Sequence, residues 1–286
     1  HDTPKAWPST AVSTWLNGGL FGAAGMTAFG GIITQYEDSG TTYRVHTFRG
    51  SGKFVVSDGT ADCDVLVVGA GGSGSTWEGS GGGGGGGVVQ YASQTVDVAS
   101  SPYTITVGTA TYAQVGASSS ATGNTVVGGG LGASYSAVDN DGACGGGGAS
   151  SSGGVGTGAT GTLGFAGGDS GGFGSSLWDA GGGGGMGSAG GAGNGATGVA
   201  GDGGNGLAKI GITASTVLYG GGGAGSGITG GAGGTGGGSA GNTYSGGWSG
   251  GSGGIPNTGG GGVGGPTDGS KAGATGIVII RYEVAA

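Results

Sequence analysis

Seven consecutive glycines, Gly81 to Gly87, constrain this chain more than any other feature. Shorter runs recur at 145–148, 181–185, 220–223 and 259–262, and 90 of the 286 residues are glycine. An ordered glycine loses more backbone freedom than any other residue, about 1–2 kcal/mol, and brings no side chain to bury in return. One solution is an extended threefold helix of the polyproline II type. It rises about 3.1 Å per residue, has no internal hydrogen bonds, and points its N–H and C=O groups outward. Laid side by side, such helices pair those groups with their neighbours, and only glycine lets the backbones come that close. Collagen is excluded, because there are only five prolines and the triplet register is constantly broken. A disordered Gly/Ser linker is the competing expectation. The aromatic residues set within the glycine tract, and the ordinary strand sequences on both sides of it, argue for order.

Those flanking sequences read as follows. Tyr43–Phe48 is β-rich, and Gly50-Ser51-Gly52 is expected to join it to Lys53–Val56 as a hairpin. Asp58-Gly59 makes the next turn. Asp64–Val68 is a continuous apolar run, expected to be central and buried on both faces. Further strands are expected at Val88–Tyr91, Thr95–Val98 and Tyr103–Val107, the last with Tyr103, Ile105 and Val107 on one face and threonines on the other. Thr125–Val127 is another short candidate, and Leu207–Tyr219 supplies one strand. Gly276–Val284 is the strongest strand in the sequence, and with no local partner it must pair with residues near 43–107.

The expected fold is therefore mainly β with very little α: a small β-sandwich-like domain that carries a large insertion of packed polyglycine II helices and loops. Its parts are an N-terminal segment 1–31, a β domain 32–127 completed by strand 277–284, and a glycine-rich bundle 128–276. The glycine tract itself begins near 69–87. Runs of four or more glycines begin at 145, 181, 220 and 259, so their spacings are 36, 39 and 39, a loose recurrence.

Residues 1–31 are aromatic and apolar for their length. Ser9 or Thr10 would cap a short helix carrying Val12, Trp15 and Leu16, stopped by Asn17-Gly18. Trp7, Trp15, Leu16, Phe21 and Phe29 fit either packing on the following domain or docking on a larger assembly. The chain starts at His1 and not Met, which fits a removed leader or precursor segment, or a partial chain. Charge is scarce, with seven Lys plus Arg against 15 Asp plus Glu. The lack of a basic patch disfavours nucleic-acid binding and attraction to anionic membranes. No apolar run approaches the ~20 residues that span a bilayer. Cys63 and Cys144 are too few for a usual metal site, and are either free and buried or joined as one clip.

Enzyme signals are poor, and no catalytic residue, cofactor or metal is expected. His46 lies in a strand that reads as structural, which argues against a Ser-His-Asp arrangement. No Gly-Lys-Ser/Thr loop is present to cradle phosphate. Gly69-Ala70-Gly71-Gly72 lacks the helix pattern that a dinucleotide fingerprint needs after it. A copper pair of His1 and His46 has nothing else in the chain to support it. Asp139 and Asp141 begin like an EF-hand loop, but its final Glu is missing, so a surface turn is favoured. The aromatic punctuations carry more. Trp77, Tyr135, Phe173, Trp178, Tyr244 and Trp248 interrupt the glycine tract, with Asp139, Asp141 and Asp179 near some of them. In Gly/Ser turns such rings act as rigid anchors, as in antibody loops, and suit sugars or an outer-membrane protein loop. Their competing role is to cap the bundle ends against water.

Four motifs in order carry a family resemblance: Tyr43-Arg-Val-His-Thr-Phe48, Gly50-Ser-Gly-Lys-Phe54, Asp64-Val-Leu-Val-Val-Gly-Ala-Gly-Gly72 and Gly276-Ile-Val-Ile-Ile-Arg-Tyr282. Together they resemble the glycine-rich domain of bacteriophage tail-fibre proteins, over about residues 40–284. In plan the chain is also similar to the separate adhesins that cap T-even-type long tail fibres. Its glycine bundle is similar to the ectodomains of certain receptor tyrosine kinases. The phage resemblance implies a virion protein whose N-terminal segment docks on other tail-fibre subunits. A distal bundle of polyglycine helices would then bind the host through its loops. The partner implied is a host outer-membrane protein or surface glycan, with no nucleic acid and no membrane insertion. A purely structural virion or extracellular filament protein is the second function class. An ice-binding protein is the third, and the bulky, irregular turns argue against the flat face that ice binding wants.

Overall fold

The computed structural model describes residues 25–134, 141–151, 154–172, 178–209, 212–266 and 271–284. Among these residues there is no helix of the α or 3₁₀ type. The strands of the first half are β1 (Thr27–Phe29), β2 (Ile32–Asp38), β3 (Thr41–Phe48), β4 (Gly52–Asp58), β5 (Thr60–Val68), β6 (Val88–Asp97), β7 (Tyr103–Ile105), β8 (Ser119–Ala121) and β9 (Asn124–Val126). The second half adds short pairs, β10 (Ser150–Ser151) with β11 (Gly154–Val155), β12 (Leu207–Lys209) with β13 (Val217–Tyr219), and β14 (Thr243–Tyr244) with β15 (Trp248–Ser249), and then β16 (Ile277–Val284).

Two layers form a sandwich. The larger is a five-stranded antiparallel sheet in the order β2-β3-β16-β5-β6. The C-terminal strand lies at its centre, with Val278 opposite Phe48 on β3 and Ile277 opposite Val68 on β5. The second layer is β1-β4-β7, continued through a Thr106–Ser120 bridge to the β8–β9 hairpin. Alternation sends Val65, Val67, Val278, Ile280 and Tyr282 from one sheet, and Phe54, Val56 and Ile105 from the other, into the core between them. The opposite set, Val45, Leu66, Val68, Ile277 and Ile279, packs beneath Ile212 and Tyr219 on the outer face of the larger sheet. Residues 65–68 are each 0 % exposed, so β5 is central and covered on both sides, as its unbroken apolar run predicts. Where that run begins, Asp64 faces Arg281 across the sheet and forms an ion pair with it.

His46 is buried in the core. Its Nδ1 donates to the Gly30 carbonyl at 2.8 Å, and its Nε2 accepts from the Tyr282 hydroxyl at 3.3 Å. Burial holds its pKa below the ordinary histidine value, so this is a neutral core imidazole with neither nitrogen left for a metal or a catalytic serine. Cys63 and Cys144 are both free and buried, and burial pushes each thiol up to about 12.

Three local expectations change. Gly50-Ser51-Gly52 is not a hairpin turn, because β3 and β4 belong to different sheets. The link arches over the sandwich edge so that Phe48 and Phe54 enter one core from opposite layers. β6 is one strand and not two. Ala92 and Ser93 together oppose the single residue Asp64 as a bulge, with Ser93 at φ 51°. Leu207–Tyr219 makes the hairpin β12–β13 instead of a single strand, and Ile212 in its loop is buried on the sheet. The helix expected around residues 9–16 lies outside the described residues.

β5 and β6 continue without a turn into the glycine-rich insertion. Past Val68 the chain runs on through Gly69–Gly74 and returns as Gly81–Gly87 directly into β6, with Gly69 donating to Gly87 at 2.9 Å. The returning run has a period of three. Gly81, Gly84 and Gly87 donate to Ala133, Gly130 and Val127; Gly82 and Gly85 to Gly181 and Gly184; Gly83 and Gly86 to Gly262 and Gly259, all at 2.7–3.1 Å. Three residues per turn aim every third N–H at the same neighbour, which is the polyglycine II arrangement.

The Cα positions use the remaining directions. A Cβ at Gly81 or Gly84 would lie 1.9 or 2.1 Å from the carbonyl oxygen of Gly147 or Cys144. At Gly82 or Gly85 it would lie 2.1 or 2.2 Å from that of Gly223 or Gly220, and at Gly83 or Gly86, 2.2 or 2.1 Å from that of Gly72 or Gly69. The central run therefore has six neighbouring segments, and the four recurrent glycine runs are four of them. Outer segments carry side chains at every third position. Asp202 and Asn205 are exposed on one rod and accept from the backbone N–H of Ala232 (2.6 Å) and Thr235 (3.2 Å) on the next.

This packing makes Gly84→Ala a severe change, since the methyl must displace the Cys144 backbone 2.1 Å away, whereas Gly50 has nothing within 4 Å of its Cβ position. Urea denaturation should show a loss of about 3 kcal/mol or more for Gly84→Ala. For Gly50→Ala the change should stay within about 1 kcal/mol.

Candidate functional site

The rods run to and fro between the sheet and a far end. Gly87 abuts β6, so Gly81 and the 75–80 loop mark the end remote from the sandwich. Backbone bonds gather several other loops there. Ser150 N–H donates to Gly79 (2.9 Å), Ser226 to Ser80 (3.2 Å), Ile228 to Trp178 (3.3 Å) and Tyr244 to Gly227 (3.0 Å).

Trp178, Tyr244 and Trp248 meet at this end. Tyr244 and Trp248 are paired across β14–β15, and Trp178 arrives on the rod that continues through Gly181–Gly185. Their ring centroids are 5.2 Å (Trp178–Tyr244), 5.6 Å (Trp178–Trp248) and 5.3 Å (Tyr244–Trp248) apart, at tilted or edge-on angles. That is the favourable geometry for aromatic pairs. All three are half-buried, so each ring leaves part of its surface to solvent. Trp77, 56 % exposed, lies in the neighbouring loop. Gly79 of that loop packs so closely that a Cβ there would sit 2.9 Å from Trp178 Cδ1.

Behind the rings lies an unusual polar set. Asp179 is fully buried, and neither of its carboxylate oxygens has a hydrogen-bond partner; the Ser150 hydroxyl and Trp248 Nε1 are likewise buried and unpartnered. Gly171 and Gly195 close over the carboxylate, since a Cβ on either would lie 2.1 or 3.3 Å from Asp179 Oδ2. Burial raises the Asp179 pKa above the ordinary carboxyl value. The nearby Ser150 hydroxyl pulls the other way without closing a hydrogen bond of normal geometry.

Of the remaining expected residues, the two that are described, Asp141 and Phe29, lie apart from this cluster. Asp141 lies nearer the sheet, where its Oδ1 accepts from Thr160 N–H (3.0 Å) and Thr160 Oγ1 (2.8 Å) and pins a turn. Phe29 is in β1 on the sandwich and is 54 % exposed. Tyr135, Asp139, Phe173, Trp7, Trp15, Leu16 and Phe21 lie outside the described residues. Sequence reasoning missed Ser150 and the exposed Val155 and Val199 at the far end. Asp179 did carry a usable sign. It directly precedes Ala180 and a five-glycine run, the place where a side chain must enter the packed rods.

The architecture is a β-sandwich extended into a polyglycine II bundle, with Trp77, Trp178, Tyr244 and Trp248 on the far loops. Residues 46–283 match the profile of the family described as glycine-rich domain, and the chain belongs to that family. No curated protein matches the sequence at a significant level.

The Asp179 environment sets a pH dependence. A carboxyl whose pKa is raised on folding binds its proton more tightly in the native state. It therefore stabilises the fold fully below the unfolded value of about 3.9, and that stability is lost as pH rises through the folded value. Asp179→Asn should remove this decline. Melting curves should then show the variant gaining on the parent from pH 4 upward and exceeding it at pH 7.

Proposed function

We propose that this protein is the receptor-binding adhesin of a bacteriophage tail fibre: a non-enzymatic virion protein that attaches through its N-terminal segment and recognises a host cell surface. The observation that carries this reading is the Trp178–Tyr244–Trp248 cluster, which sits on the loops farthest from the sandwich in a chain of the glycine-rich domain family. Rings held at fixed angles on rigid rods lose little freedom on binding, which is what an anchor in a recognition surface requires. Trp77 beside them widens the apolar surface, and the Ser and Gly residues of the β14–β15 loop add backbone donors and acceptors. The chemistry suits an outer-membrane protein loop or a surface glycan. Nucleic acid is not a partner in this reading, because the chain carries a net charge of −8.

A second reading keeps the same bundle as a stiff structural element of a virion or extracellular filament. The tight packing of the central run favours it, since rigidity alone is a sufficient use of such a core. Ring substitutions separate the two. Trp178→Ala, Tyr244→Ala and Trp248→Ala should each weaken binding to host outer-membrane fractions by about tenfold or more, measured at a temperature where melting curves show each variant still folded. Exchange of the β14–β15 loop should change host range. Unaltered binding by all three variants would leave only the structural reading.

A further inference from the structure

We infer that the outer face of the five-stranded sheet carries a separate binding cleft for a carboxylate-bearing sugar, beside the junction of sandwich and bundle and away from the aromatic cluster. The β12–β13 hairpin and the turn at residues 255–258 flank β3 and β16 there, and between them lies a cleft of about 400 Å³. That volume falls within the roughly 300–1,000 Å³ of small-molecule sites.

Three features define the ligand. The first is an apolar lining of Val217, Ile277 and Ile279, which offers a surface for the C–H face of a sugar ring. The second is Asn257. Its amide oxygen is buried without a hydrogen-bond partner, although the residue lines the cleft. Its backbone is fixed in the left-handed region at φ 63°, with its N–H donating to Thr275 Oγ1 at 3.0 Å. That acceptor is closed to solvent as it stands, and a turn about the soft terminal torsion of the side chain brings it to a ligand hydroxyl in the cleft. The third is Arg49. Among the described residues no hydrogen bond or ion pair engages its guanidinium, whereas Arg281 is committed to Asp64 and Tyr36. In a chain with only seven Lys plus Arg, an uncommitted arginine at a cleft points to an anion, and its planar fork fits a carboxylate.

A hydroxyl donor, an apolar ring face and one carboxylate together describe a uronic acid unit. Beyond Thr213, which borders both spaces, a second cleft of about 310 Å³ continues past Gln35 and Tyr36. The track therefore accommodates an acidic oligosaccharide as well as a single residue. Nothing in this argument uses the aromatic end, so failure of either reading leaves the other standing.

The test is a titration of the full chain, followed by NMR and calorimetry, with D-glucuronate, D-glucose and acetate as probes. Glucuronate should bind saturably and shift resonances of Thr213, Val217 and Ile277, with glucose and acetate each weaker by about tenfold or more. Arg49→Gln, at an exposed position, should reduce glucuronate binding to the glucose level, and Thr213→Trp should fill the cleft and abolish it. The inference is overturned if glucuronate does not saturate the parent protein. It is also overturned if Arg49→Gln binds as tightly as the parent, or if the shifted resonances map to Trp178–Trp248.

Discussion

Each glycine from Gly81 to Gly86 turns two of its three backbone hydrogens onto neighbouring carbonyls. The N–H points at one carbonyl, and the Cα hydrogen that replaces a side chain points at another. The first contact contributes about 1 kcal/mol net. The second, a weak Cα–H···O interaction, adds about 0.5–1 kcal/mol. Ordering the glycine costs about 1–2 kcal/mol. Neither contact offsets that cost alone, and the two together roughly balance it. The rods are thus held only where the surrounding segments are present together. The sandwich provides the starting edge: β5 and β6 are already paired at Val68 and Val88, and the Gly69–Gly87 bond is the next rung of that ladder.

This balance explains which parts of the chain were legible. β5 and β16 announced themselves through Val65–Val68 and Ile277–Ile280, because burial on two faces demands apolar side chains at every position. The seven-glycine run was legible as special for the converse reason: a rod with neighbours on all sides has no position free for a Cβ. Which rods adjoin it was not legible. Glycine has no side chain to vary, so pairing leaves no pattern beyond run length and the interruptions Cys144, Ala180, Ala224 and Val263, all fully buried. The sheet assignment of β3 and β4 was hidden for another reason. A short Gly-Ser-Gly link serves a hairpin and an inter-sheet arch equally well, and the choice was made by Phe48 and Phe54 sharing one core. At the far end, the aromatic spacing marked Trp178, Tyr244 and Trp248 individually, but the rods determine that they meet.

The division of labour between rods and loops bears on the recognition role proposed above. The rods are specified by main-chain geometry, so the loops that join them are relieved of any part in holding the scaffold. β14–β15 illustrates this. Its glycines Gly246, Gly247 and Gly250 have nothing within 4 Å of their Cβ positions, while Gly225 and Gly261, on rods beside it, are closed in by backbone. Space for a side chain is open at the turn, most readily at Gly247, since Gly246 and Gly250 hold left-handed φ values of 79° and 91°, and it is closed at Gly225 and Gly261.

The continuity of β5 and β6 with the glycine rods also fixes how the molecule carries load. Tension on the far loops acts along the rod axes, and the bonds between rods lie across those axes. They are therefore stressed in shear, many at once, instead of being peeled one after another. The pull arrives at β5, which is clamped between β16 and β6, and at β6, the edge strand of the five-stranded sheet. A protein built this way resists being drawn out lengthwise far better than its modest side-chain content suggests.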